Sequence, residues 1–217
     1  MKPEISQKIV ALVAAGVVLF SGATVTSLAA WTDTESVNGG VSTLPGVVAS
    51  SFDVEQNVTA DATGANWTTN LASPGGTVDF GPQASELTPG TSVVGFVRLR
   101  TVTDSVAGTL TLMHGDSSGS SAFLSALRFG AWLVPNPSAC TASGYDGPGS
   151  TVLVPDGATI GTDSATTFVL AAGDATDPGA EQTVCFRLTF PSLGVSTDRS
   201  LQGQAADPIW QFNAVSN

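Results

Sequence analysis

The sequence predicts an all-β protein, a two-layer antiparallel β-sandwich of jelly-roll type, preceded by an N-terminal signal-peptide helix. Three observations carry this. Apolar and polar residues alternate with a period of two, most clearly where Val184, Phe186, Leu188 and Phe190 share one face of a run and Cys185, Arg187 and Thr189 share the other. No amphipathic stripe of period 3.6 follows residue 29. Turn formers separate the runs: Pro89-Gly90, Asp146-Gly147-Pro148-Gly149, Asp156-Gly157 and Pro178-Gly179.

Taken in order, the chain opens with Lys2 and Lys8 ahead of a twelve-residue apolar core at residues 9–20. Ser27 and Ala29 then supply small side chains at the two positions a signal peptidase inspects, which predicts cleavage between Ala29 and Ala30 and a signal peptide over residues 1–29. The alternative is an uncleaved anchor, but Ser21, Gly22, Thr24, Thr26 and Ser27 interrupt the apolar span. No stable membrane span is expected after cleavage. Residues 30–46 read as a flexible, Gly-containing arm, and residues 47–217 as one β-sandwich domain. Within that domain strands are expected at 52–55, 77–80, 92–102, 108–114, 127–134, 151–154, 166–171, 184–190 and 208–215, with a single helical turn over 121–127. Trp132, Phe186, Trp210 and Phe212 are the aromatic residues placed in or near the core.

Charge narrows the function classes. Lys2, Lys8 and Glu4 leave with the signal peptide, which takes the net charge from −11 to −12 and leaves Arg98, Arg100, Arg128, Arg187 and Arg199 as the permanent cations. Such a chain repels phosphate backbones and has no polybasic patch for anionic lipid, so nucleic acid is excluded as a partner. With no lysine in the mature chain, neither an isopeptide bond nor an amine-donor cross-link is open to it, and association outside the cell is expected to be non-covalent. Export permits disulfides, and Cys140 and Cys185 are the two cysteines. Their bridge would link the 136–140 loop to the outer face of the 184–190 strand. Across 45 residues it would remove about 3 to 4 kcal/mol of unfolded-state freedom. Two free thiols or an intermolecular bridge are the alternatives.

No catalytic constellation is legible. His114 is the sole histidine and no His-Glu-x-x-His helix exists, so a zinc peptidase site has no ligands to build from. The string His114-Gly115-Asp116-Ser117-Ser118-Gly119 holds a base, a carboxylate and a nucleophile, yet a contiguous turn cannot set them in a relay with an oxyanion hole. No cofactor is expected. The acidic loops 156–163 and 174–181 offer oxygen ligands for weak Ca²⁺ binding at most, without EF-hand spacing. Asn57-Val58-Thr59 and Asn66-Trp67-Thr68 match the N-glycosylation pattern, which is frequent by chance.

The segment Leu28-Ala29-Ala30-Trp31-Thr32-Asp33-Thr34-Glu35 resembles the cleavage region of SipW-type exported proteins, which use a dedicated alternate signal peptidase and include the TasA and camelysin biofilm-matrix proteins of Gram-positive bacteria. Leu87-Thr88-Pro89-Gly90 ahead of the 92–102 run, and Leu201-Gln202-Gly203-Gln204 ahead of the last aromatic run, fall in the same order as in that family. The resemblance implies a secreted jelly-roll subunit that self-associates into matrix or surface fibres. Trp31, Val37 and Val41 of the arm would then be the side chains that anchor an added strand on a neighbouring subunit. One departure matters: the better-known members are rich in lysine, so their charge pairing between subunits does not carry over. Camelysin-like proteins have been classed as peptidases, which the residues here do not support. A monomeric binding module for a polysaccharide or surface protein is the competing expectation. With its high negative charge, a polymerising chain should assemble better in acid or with divalent cations.

Overall fold

The computed structural model describes residues 40–41, 44–45, 49–59, 65–142 and 147–217. The chain divides into two units, Met1–Val48 and Ala49–Asn217. In the first, β1 (Gly40–Val41) pairs antiparallel with β2 (Leu44–Pro45), Val41 opposite Leu44. The expected signal helix, the Ala29/Ala30 junction, Trp31 and Val37 lie outside the described residues.

The second unit is built of antiparallel strands, as the two-residue alternation predicts. They are β3 (Val54–Asn57), β4 (Thr91–Thr101), β5 (Gly108–His114), β6 (Ser118–Gly119), β7 (Arg128–Val134), β8 (Thr151–Thr159), β9 (Thr167–Leu170), β10 (Gln182–Phe190), β11 (Ala206–Asp207) and β12 (Trp210–Ser216). Two short helices, α1 (Ser121–Ala126) and α2 (Val195–Ser200), interrupt them. A five-stranded sheet has the order β3-β4-β10-β7-β8, and a three-stranded sheet the order β12-β5-β9. β11 and β6 form a separate two-residue pair.

Alternation decides which side chains are buried. Val97 and Leu99 from β4, Phe129 and Ala131 from β7, Val154 from β8, and Val184, Phe186 and Leu188 from β10 point to one face of the large sheet. They join Leu110 and Leu112 of β5 and Phe168 and Leu170 of β9 in a single apolar cluster. Both sheets thus bury one face in the same core, with Trp210, Phe212 and Ala214 of β12 packed partly against it.

Several local expectations hold to within a residue or two. β5 spans 108–114 as read, and α1 occupies the predicted helical turn, with Ser120 Oγ accepting from Phe123 N at 3.2 Å as its cap. Three readings need correction. Residues 77–80 form no strand; they cross the inner face of β4, where a Cβ on Gly95 would come within 2.6 Å of Val78. A side chain at position 95 would push this segment off the core, so the crossing depends on glycine. Asp156-Gly157 is not a reversal but part of a bulge inside β8. Val154 pairs with Ala131 and Ala158 with Phe129, so the additional residues are looped out, with Gly157 at φ 84°. The strand consequently runs on to Thr159 rather than ending at 154. Trp132 is buried as expected, in a second cluster that faces away from Phe186, because its cross-strand partner is Cys185 on the opposite face of β10. Its indole lies over Gly130, where an added Cβ would collide with the ring.

The outer face of the five-stranded sheet is covered locally. Cys140 and Cys185 form the expected disulfide, with Cα atoms 5.4 Å apart. Cys185 is fully buried in a second small cluster with Trp132 and Val134, under the loop that carries Cys140. That loop is a 3-10 turn (Pro137–Ala139) capped by Asn136, whose Oδ1 accepts from Ala139 N at 3.1 Å.

Candidate functional site

The two sheets are closed against each other on one side and open on the other. On the closed side the edge strands β8 and β9 follow one another in the chain, and residues 160–166 pass directly between the sheets. Ser164 bridges them: its N–H donates to Leu112 O at 2.8 Å and its Oγ donates to Leu153 O at 2.9 Å. Ile160 fills the space beside it, 6% exposed.

On the open side the edges are β3 and β12, at opposite ends of the chain. Among the described residues β12 pairs only with β5, and β3 has β4 on one side and a single bridge, Gln56 to Thr68, on the other. Between them lies a cleft of about 1020 Å³. Its floor is the buried core residues Val97, Leu99, Phe186 and Leu188, with Phe212 and Ala214 half-buried beside them. Residues 70–78 and Phe80 form one wall, and residues 206–211 the other. Trp210 stands at the junction, its ring 4.8 Å from Phe186, 5.3 Å from Phe129 and 6.3 Å from Phe80 between centroids. Its Nε1 is buried without a hydrogen-bond partner among the described residues. Leu71 at the rim is 92% exposed. The site is thus an apolar slot flanked by strand edges, which fits an extended segment better than a charged or metal-bound substrate.

The charged residues are committed elsewhere. Arg100 Nε donates to Glu55 Oε1 at 2.6 Å, and Arg98 Nη1 lies 3.5 Å from Glu181 Oε2. Both guanidinium groups lie over Trp67, at 4.0 and 5.3 Å from its ring centre, which fastens the 65–70 segment across the outer face. Arg187 pairs with Asp156 at 3.1 Å. Arg128 Nη1 donates to the carbonyls of Ser125, Ala126 and Leu127 at the end of α1. Four of the five arginines beyond residue 29 therefore serve the fold.

The residues considered for catalysis are not brought together as a relay. His114 ends β5, and its Nδ1 lies 2.7 Å from Asp163 Oδ1, a residue 49 positions away, while Ser117 Oγ accepts from Ile209 N at 2.9 Å. His114 N also donates to Asp163 Oδ1, and these contacts hold the Asp163 carboxyl below the usual aspartate value of about 3.8. The acidic loops fold on themselves: Asp174 Oδ1 accepts from Thr176 N and Asp177 N, each at 2.8 Å, which likewise lowers its pKa. Among the described residues no three His, Cys, Asp or Glu side chains converge where they could hold a metal ion. Asn57 is buried, with Oδ1 accepting from Thr59 N and Thr59 Oγ1, so this sequon is not presented to an acceptor enzyme.

The cleft is what sequence reasoning missed. The alternation of Trp210, Phe212 and Ala214 announces a strand with one apolar face, but not that the strand lies at an edge with that face half uncovered. Among the described residues no helix is long and apolar enough to cross a membrane. Compared with known proteins, the chain matches no family model and no curated protein.

Proposed function

We propose that this chain is an exported structural subunit that assembles non-covalently into extracellular or cell-surface fibres, each copy accepting the N-terminal arm of a neighbour as an added strand. The observation that carries this reading is the open cleft between β3 and β12. A two-layer sandwich in which one long side is pinned and the other keeps a cleft over its core has room for one more extended segment, and the unpaired edge of β12 supplies backbone partners for it. On this reading the arm completes a jelly-roll-like sandwich belonging to the next subunit.

The arm has suitable chemistry. Trp31, Val37 and Val41 occupy positions of the same parity, so an extended arm presents all three on one face, toward the apolar floor. Strand addition that reaches Val41 requires the two-residue β1–β2 pairing to open, a small cost because so short a ladder is marginal. The signal-peptide pattern, the disulfide and the resemblance to the TasA and camelysin proteins at residues 28–35 support export and assembly outside the cell.

Negative-stain electron microscopy of the protein starting at Ala30, beside a version starting at Val47, tests the reading across pH 4 to 7.5 with and without calcium. Filaments from the longer form alone, favoured by acid or calcium, are expected. Monodisperse particles from both forms under every condition would overturn the proposal.

A further inference from the structure

The two sheets differ in what they turn outward. The large sheet presents Glu55, Arg98, Arg100, Arg128 and Arg187, much of it under the 65–70 segment and the Cys140 loop. Register places Thr109, Thr111 and Met113 of β5, Gln211, Asn213 and Val215 of β12, and Thr167 and Val169 of β9 on the outward face of the small sheet. None of the eight is charged, on a chain whose net charge is −11. Val215 is 62% exposed and Val169 54%, and both lie opposite Thr109, one on each side, so a Val-Thr-Val row crosses the sheet in the open. Edge strands that must stay monomeric are ordinarily guarded by charge. Neither edge of this sheet, β12 or β9, carries one.

We infer that the outward face of the three-stranded sheet is a self-association surface, on which a second copy of this chain packs sheet on sheet. The charge distribution selects the occupant. Two copies carrying like charge repel over most of their surfaces, and this face lets them meet without burying or opposing a carboxylate. Stacked sheets approach to about 10 Å, so Thr methyls and Val side chains interdigitate while Gln211 and Asn213 amides exchange hydrogen bonds across the seam.

Area sets the context in which the contact operates. Two strands of seven residues and one of four give a footprint of roughly 300 Å², well below the roughly 800 Å² that a stable partner buries. A pair of free subunits therefore associates weakly, whereas a row of identical faces along a polymer multiplies the contact. The face thus joins fibres laterally into bundles, and this part of the inference rests on the fibre reading above.

The test uses the protein starting at Ala30, with Thr111→Glu at the centre of the face and Val169→Glu at its edge as separate variants, and Thr111→Val as the conservative control. Filaments of unchanged length from every form are expected, bundled in the parent and in Thr111→Val and at least tenfold less bundled in both Glu variants. Val169 is exposed, so its substitution keeps the test informative should Thr111→Glu fold poorly. Bundles that persist in a folded Glu variant would overturn the inference. Should the parent form no filaments, the fibre reading falls, and sedimentation at high concentration then decides the face alone. Weak concentration-dependent association lost in the Glu variants supports it, and monodisperse parent protein overturns it.

Discussion

On one side of the core, β8 and β9 are consecutive in the chain and the segment between them is hydrogen-bonded into both sheets through Ser164. On the other, β3 and β12 come from the two ends of the folded unit, and the space between them remains a cleft floored by Phe186, Leu188 and Phe212. The contrast has a simple origin. A short connection closes a side at little entropic cost, whereas among the described residues the β3/β12 side is only partly covered, by residues 70–80. The apolar surface left uncovered at this slot costs stability, and on the proposed reading a strand supplied from another copy would cover it.

The largest effect expected from this asymmetry is on the open side. A synthetic peptide of residues 30–46, added to protein starting at Val47, should stabilise it by mass action, by about 2.7 kcal/mol when the free peptide is at a hundred times its Kd. Urea denaturation at increasing peptide concentration reads this directly, and a peptide with Trp31→Ala, Val37→Ala and Val41→Ala should act only at much higher concentration. A midpoint that is indifferent to millimolar peptide would show that the open side does not take the arm.

The closed side should respond to substitution and not to peptide. Ser164→Ala leaves the Leu153 carbonyl without its donor inside the fold and removes the acceptor for Thr166 N, at a cost of about 1 to 3 kcal/mol. The same variant should bind the peptide with unchanged affinity, since Ser164 lies across the core from the cleft walls. Loss of peptide binding in a folded Ser164→Ala protein would mean that the two sides are coupled, and that the cleft is held open by the closed edge.

How much of this was legible in the residues follows the range of the interactions. β5, α1 and the alternation of β10 are local, and their bounds or faces were readable directly from residues 108–114, 121–126 and 184–190. The Cys140–Cys185 bridge was readable because only two cysteines exist. Asp156-Gly157 misled because a bulge and a reversal call for the same residues, and only pairing with β7 separates them. Trp132 was readable as buried, but its hydrophobicity does not specify a face; its opposition to Cys185 does. Residues 77–80 alternate like a strand yet lie across β4 with no ladder to join. The cleft was invisible for the most general reason: it is defined by strand order, which places β3 and β12 at edges although some 150 residues separate them.

The smallest expected effect tests the end of the closed side. Asp163 sits in the 160–166 segment and accepts from His114 N while facing His114 Nδ1. Its folded-state pKa is lowered, first by the backbone hydrogen bond from His114 and then by the contact with the imidazole. A depressed carboxyl pKa means that the folded form prefers the ionised group, so its contribution is present above the unfolded value near 3.8 and is lost as pH falls through the lower folded value. Asp163→Asn should therefore cost stability slightly at neutral pH and nothing once the parent carboxyl is protonated, so the two denaturation profiles converge as pH falls through the lowered folded-state value. Because both side chains are exposed the shift is modest, and salt should reduce its imidazole component while leaving the backbone hydrogen bond. The open side carries no such titrating latch in its floor, so peptide-induced stabilisation should be the same for Asp163→Asn and the parent at neutral pH. A variant that loses the peptide response there would place the His114 end of β5, adjacent to Trp210 in the ladder, in control of the cleft.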